Sequence, residues 1–484
     1  MANFVNQNFQ ADVDESGLEI QKDANIAELD DDGKPTRKGN VWTASAHIIT
    51  AIIGSGVLSL AWGVAQLGWI AGVTTLVVFS GITYYTSNLL SDCYRSPVTG
   101  KRNYTYMEAV KNNLGGRMYM ACGMVQYVNL CGMIIGYTIT ASISMAAIQK
   151  SDCFHKRGHE APCSVSHNPY MIALGILEIF LSQIPNFHKL SMLSVVAAFM
   201  SFGYSSIGVG LAFAKVISGE GKGTTLSGVE VGISISAAEK TWRMFRALGD
   251  IAFAYTYSQI LIEIQDTLKA IPPENQVMKK ANFMAVSATT VFYMMCGCLG
   301  YAAFGNNAPG NLLTGFGFYE PFWLVDLANC FIVVHLVGAY QVFSQPIFSA
   351  VELWASKKWP KSKFITKEYF INIGIVKKHK LRINLLRMIW RTLFVIMTTL
   401  LAMVFPFFND ILALLGALGY WPLTVYFPIQ MYIAKGKIRK WRWRWLVLQV
   451  INLVCLLVAL AAACGSIQGL NKALNTYKPF EVKE

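Results

Sequence analysis

Charge is what this sequence has least of. Of 484 residues only 14% are Asp, Glu, Lys or Arg, against 54% that are hydrophobic, and the mean hydropathy is +0.40. That balance excludes a soluble domain of this size, and the apolar residues come in long runs, not in a 3.6-residue stripe. A polytopic helical membrane protein remains. The first 40 residues lack an apolar core of signal-peptide type, so insertion is expected to start at the first spanning helix with nothing cleaved. No H-E-x-x-H or G-x-S-x-G falls at a plausible place, so the chain is read as no enzyme, with no catalytic residue and no metal ligand. Neither charged rings nor a repeated carbonyl filter is visible, as a channel would require.

What is present is a break where a membrane helix should have none. The first apolar stretch reads Ile48-Ile49-Thr50-Ala51-Ile52-Ile53-Gly54-Ser55-Gly56-Val57-Leu58-Ser59-Leu60. Glycine has the most backbone entropy to lose in a helix. In hydrocarbon an unwound segment strands N–H and C=O groups, and it survives only where it lines a protein-enclosed polar cavity. Half-helices that end at the midplane present bare N–H groups and a dipole to an anion, as many secondary transporters do for a substrate carboxylate. Close helix packing on small residues is the structural alternative.

Eleven spans are expected, at about 41–63, 66–91, 117–149, 169–185, 189–216, 242–268, 281–304, 319–350, 385–407, 409–433 and 443–466. Residues 1–40 form an acidic, disordered tail with nine Asp/Glu against four Lys/Arg, ending in Asp30-Asp31-Asp32; the rest carries +18. The pI near 9.2 does not point to nucleic acid, because the basic residues sit in short loops. The segments 92–116, 269–280, 351–384 and 434–442 hold most of them, all on one side, which makes that side cytosolic. The N-terminus is then cytosolic, and the tail 467–484 beyond the transporter domain 41–466 is extracellular. Cys153 and Cys163 share the opposite, oxidising face, where a disulfide is expected. The triplet Asn103-Tyr104-Thr105 falls on the cytosolic side and should stay unglycosylated.

A coarse repeat runs through the spans. The third of each half is unusually long and the first of each half is interrupted; span six reads Arg246-Ala247-Leu248-Gly249-Asp250-Ile251-Ala252-Phe253-Ala254-Tyr255. Five spans followed by five inverted ones with a matching break is the pattern of inverted-repeat transporters.

The stretches Gly39-Asn40-Val41-Trp42-Thr43-Ala44, Ile53 to Trp62, Ile262-Glu263-Ile264-Gln265-Asp266-Thr267-Leu268 and Met278-Lys279-Lys280-Ala281 resemble those of plant amino acid permeases, in the amino acid/auxin permease group. The resemblance covers about residues 30 to 470. It implies an all-α fold of LeuT type, a 5+5 inverted repeat with an eleventh helix. It also implies proton-coupled import of free amino acids across the plasma membrane by alternating access, over a broad range from neutral to acidic substrates, with protons as coupling ion and no cofactor. Carried onto these residues, the N–H groups of Ser55, Gly56 and Val57, beside Gly54, would face the substrate carboxylate. The Ala51 and Ile52 carbonyls would face its ammonium. The span-six break around Ala252, Phe253 and Ala254 would offer further carbonyls, with Tyr255 or Phe253 walling the pocket. Tyr127, Asn129 and Gly132 on span three are side-chain pocket candidates, against an equal reading as interhelical packing.

Of seven histidines only His47 and His335 lie well inside spans. An intramembrane ionisable group is a functional hypothesis by default, and a pKa near 6.5 suits proton exchange. In the implied fold spans one and eight pack together, which would bring the two near each other. The run Ile332-Val333-Val334-His335-Leu336-Val337-Gly338 offers no hydroxyl to sodium, a hard cation wanting oxygen donors. Asp250 is the third proton candidate, either gating or paired with Arg246 at i−4. Glu178 and Asp326 are further intramembrane carboxylates, and Glu263 with Asp266 is expected to pair with Lys269 or the basic loop. A sodium-coupled transporter and a transporter-like amino acid receptor are the competing readings.

Overall fold

The computed structural model describes residues 30–33, 36–158, 163–183, 191–232, 235–316, 321–372 and 380–476. His188 and the tail up to residue 29 lie outside them. The first pass is α1 (Val41–Ile52), a 3₁₀ turn (Ser55–Ser59) and the start of α2 (Leu60–Asp92). Asn40 caps α1 reciprocally with Thr43: its side chain accepts from Trp42 and Thr43 N–H, and Thr43 Oγ1 accepts the Asn40 N–H. Within α2 the second pass begins at Gly68, whose φ of 78° breaks the helix. A Cβ there would overlap the Gly228 N and Leu226 O of a distant loop, so only glycine fits.

The remaining passes are α4 (Gly116–Arg157), α5 (Asn168–Ser182), α6 (Ser191–Ile217), then α7 (Ala237–Ala254) with α8 (Leu261–Gln265). They continue with α9 (Glu274–Phe304), α10 (Phe322–Lys358), α12 (Leu385–Val404), and α13 (Phe408–Gly419) joined by a π-helical stretch (Tyr420–Tyr426) to α14 (Phe427–Lys435), and end with α15 (Trp443–Thr476). Among the described residues eight helices are long and apolar enough to span a membrane singly. The broken first and sixth passes and the short α5 complete eleven. Helix α15 continues to Thr476, so the expected tail from 467 is helical for its first ten residues. A second difference from an all-helical reading is a hairpin of β1 (Glu368–Asn372) and β2 (Lys380–Asn384), paired Glu368 to Asn384. It follows the short helix α11 (Lys363–Thr366) in the basic loop after α10.

Cys153 and Cys163 are bonded, with their Cα atoms 6.0 Å apart. They mark one end of the bundle, and the basic loops mark the other. At the basic end the acidic run Asp30–Asp32 meets an arginine cluster, so the expectation of a disordered tail stops at Asp30. Arg37 donates to Asp30 at 2.9 Å, to Asp32 at 2.8 Å and to Asp266 at 3.0 Å. Arg95 and Arg102 donate to Asp31, and Arg95 also to Glu274. Burial opposes the charge on Asp31, but the hydrogen bonds from Arg95 and Arg102 outweigh it and hold its carboxyl below the usual range. A depressed carboxyl adds stability above its unfolded pKa of about 3.9 and loses it as pH falls through the lower folded value, so the contribution is intact near neutral pH.

The backbone follows the same path. Gly39 N–H donates to Thr267 O at 3.0 Å and Lys269 N–H to Gly39 O at 3.1 Å, so the lead into α1 is sewn to the end of the sixth pass. Asp266 therefore pairs with Arg37 and with the Tyr94 hydroxyl (2.6 Å). Glu263 accepts the Tyr106 N–H (3.1 Å) at the start of the amphipathic α3 (Tyr106–Leu114). The Tyr106 hydroxyl in turn donates to Leu423 O (2.6 Å) in the π-helical stretch. Asn103 is buried, its amide donating to Cys93 O, and offers no glycosylation site.

Removing one partner of so enclosed a network leaves charges unpaired, which costs about 3–5 kcal/mol. Arg37→Ala should therefore raise amide hydrogen exchange in segments 36–41 and 264–270 at least about ten-fold. Unchanged exchange there would mean that the backbone bonds hold this end unaided.

Candidate functional site

Two interrupted helices meet at the centre of the bundle. Helix α1 ends as Ile53 N–H bonds to Ile49 O (2.8 Å), and Gly54, extended at φ −124° and ψ −152°, caps the 3₁₀ turn. The backbone N–H groups of Ser55 and Gly56 have no acceptor among the described residues, whereas Val57 N–H leans on Gly54 O at 3.4 Å. Ser55 Oγ is buried without a partner among the described residues. This is the bare, positive end of a half-helix.

The sixth pass breaks later than the sequence suggests. Helix α7 runs through Ala254, and the interruption spans Tyr255 to Tyr257 before a 3₁₀ turn at Ser258–Ile260. The Ala252 and Phe253 carbonyls are consequently occupied: Tyr255 N–H and Thr256 Oγ1 donate to the first, Thr256 N–H to the second. Ala254 O instead accepts from the Tyr293 hydroxyl of α9 (3.0 Å), which also reaches Ile52 O (2.5 Å). Tyr255 is buried and packs edge-on against Tyr293, ring centroids 5.3 Å apart.

The two breaks touch. A Cβ on Gly56 would lie 3.1 Å from Ala254 Cα and from a ring carbon of Phe253, so the open N–H end of one half-helix abuts the carbonyl end of the other. A substitution at Gly56 would consequently disturb the packing of the two passes. Gly54 differs, because a Cβ there meets nothing within 4 Å. On α4, Asn129 donates to Leu415 O of α13 (3.2 Å) while its Oδ1 has no partner, and Gly132 faces Leu415. Asn129 is thus an interhelical tie with one acceptor spare.

The proton candidates are dispersed. His47 is exposed on α1, whereas His335 on α10 is buried and turned to α6. Its Nδ1 lies 3.1 Å from both Ala197 O and Ser201 Oγ. A carbonyl only accepts, so Nδ1 carries the hydrogen in this arrangement and Nε2 has the free lone pair. The run around His335 lacks hydroxyls, but Ser201 brings one from another helix, a neighbour that sequence spacing could not disclose. Asp250 is fully buried; Asn409 donates to one of its oxygens at 3.4 Å and the other has no partner among the described residues. Its expected partner Arg246 bonds elsewhere, to Asp410 at 2.5 Å, with its guanidinium 4.6 Å above the Trp62 ring. That cluster joins α2, α7 and α13 at the disulfide end, beside a cavity of about 270 Å³ lined in part by Glu239, Arg243 and Lys472. Glu178 takes the Gln341 amide at 2.6 Å, and Asp326 the Ser151 hydroxyl at 3.4 Å.

Known proteins share this architecture. Residues 37–471 match the family described as transmembrane amino acid transporter protein. Amino acid permease 8 of Arabidopsis thaliana is 60% identical, over 95% of this chain and 97% of its own length. Amino acid permease 6 of the same plant is 61% identical, over 94% and 95%. The structure of MhsT in complex with L-phenylalanine superposes with a TM-score of 0.56 at 10% identity, covering 89% of this chain and all of that one, which establishes the LeuT-type fold. The chain belongs to the transmembrane amino acid transporter family and, within it, to the plant amino acid permeases.

Proposed function

We propose that this protein is a proton-coupled symporter that imports amino acids, neutral and acidic, across the plasma membrane by alternating access. The observation that carries the reading is the contact between the open N–H end at Ser55–Gly56 and the carbonyl end at Ala254. Opposed helix termini that close together suit a zwitterion, because N–H groups favour a carboxylate and carbonyls an ammonium. Relatives named amino acid permeases support the substrate class. Proton coupling is supported by two buried groups with a vacant acceptor, His335 Nε2 and one oxygen of Asp250. Substrate-evoked current across a panel of amino acids tests this. It should grow as external pH is lowered and persist when sodium is replaced; current that vanishes with sodium removal would reverse the coupling assignment.

The carboxylate claim has two arms. Leaving donors against a poorer acceptor costs about 1–3 kcal/mol, so amino acid amides should compete about ten-fold worse or more than the parent acids. Gly54→Val fits the extended backbone and fills space adjoining the donors, so uptake should fall about ten-fold at unchanged surface abundance. Equal competition by amide and acid, together with an active Gly54→Val, would place the site elsewhere.

The basic loops support a cytosolic N-terminus and an external C-terminus. Antibody on intact cells should reach an epitope tag at the C-terminus alone; a reachable N-terminal tag would invert the orientation.

A further inference from the structure

The two carbonyl ends of the site converge on one atom. Ile52 O closes α1 and Ala254 O closes α7, and both lie within hydrogen-bond reach of the Tyr293 hydroxyl. Helix C-termini carry partial negative charge, and two of them facing each other in a buried interior repel unless something positive stands between. Transporters with broken helices commonly meet this need with a bound metal cation held by unwound carbonyls and half-helix C-terminal ends. Here the space holds a phenol that is fully buried and braced edge-on by Tyr255. We propose that the Tyr293 hydroxyl is the built-in substitute for such a cation, a positioning residue that clamps the carbonyl ends of the first and sixth passes together.

Proton arithmetic gives the clamp a link to substrate. A phenol has one hydrogen for two acceptors. The shorter contact, to Ile52 O, takes the better share of it, and Ile52 O also accepts the Gly54 N–H (2.9 Å), so Ala254 O is the under-supplied acceptor. An ammonium seated beside the Ser55–Gly56 end would supply the missing donor there. Substrate then completes the clamp, and the two half-helices are held most firmly with the site occupied. This rests on the zwitterion site proposed above, but its test compares variants with the parent protein, so the two ideas fail separately.

Tyr293→Phe keeps the ring and deletes the hydroxyl, while Tyr293→Ser keeps an oxygen and opens room for a small cation. In Tyr293→Phe the KM for uptake should rise about ten-fold or more at matched surface abundance. In Tyr293→Ser sodium should lower the raised KM again, with choline as the inert control. The sodium effect is read as the change in KM beyond that of the parent protein under the same exchange. Purified Tyr293→Ser protein gives an independent reading: sodium should raise its melting temperature and leave that of the parent unmoved. An unchanged KM in Tyr293→Phe overturns the proposal. So does a Tyr293→Ser protein indifferent to sodium in both uptake and melting, even if Tyr293→Phe fails to reach the membrane. Loss of current from the parent on sodium removal strikes the proton reading, not the clamp.

Discussion

A peptide group stripped of its partner inside a bilayer costs several kcal/mol, and the rest of this structure is arranged around that cost. Two helices stop near the middle of the bundle. At one break Ser55 and Gly56 show donors with no acceptor among the described residues, and at the other Ala254 shows an acceptor that shares a single hydroxyl proton. The breaks are tolerable because they are buried in protein and because their opposite polarities lie in contact at Gly56. What remains unsatisfied is what a zwitterion would satisfy, which makes the proposed site a consequence of backbone polarity more than of side-chain charge.

The ends of the same two passes are held by ion pairs instead. At the basic end Arg37 binds three aspartates and the Gly39 backbone is sewn to the end of the sixth pass. At the disulfide end Arg246 bridges α7 to Asp410 and stacks on Trp62 of the first pass. Such contacts can be traded in water when one end opens, whereas the glycine seams cannot. A Cβ on Gly416 would overlap Gly249 O, and one on Gly465 would stand 2.7 Å from Phe245 Cβ, so α7 is locked to α13 and α15 by close backbone approach. In the transport cycle we propose, motion concentrates at the ion-paired ends and the half-helices, not at these seams.

Much of this was legible because local chemistry fixed it. Gly54-Ser55-Gly56 inside an apolar run forces a break, and long runs with polar punctuation give the passes, although α4, α9, α10 and α15 overrun their expected ends by a turn or more. The sixth-pass break lies later than the sequence suggests, because the helix runs through Ala252, Phe253 and Ala254 and only from Tyr255 onward do the N–H groups turn to carbonyls three residues back. Pairings across long separations were invisible. Arg246 finds Asp410 164 positions away, and Tyr293 finds Ile52 across 241. A lone carboxylate at the start of the tenth span and a hydroxyl in an apolar seventh span were the faint signals for them. The meeting of Asp30–Asp32 with the arginines had no periodicity to announce it, and neither did the hairpin in the basic loop.

The most direct test is an experimentally determined map of the protein with an amino acid bound. The account predicts a carboxylate oxygen about 2.9 Å from the Ser55 or Gly56 amide nitrogen and the ammonium on Ala254 O, with the Tyr293 hydroxyl turned to Ile52 O. A carboxylate held by Arg246 at the disulfide end, with the Ser55 and Gly56 amides still bare, would contradict it.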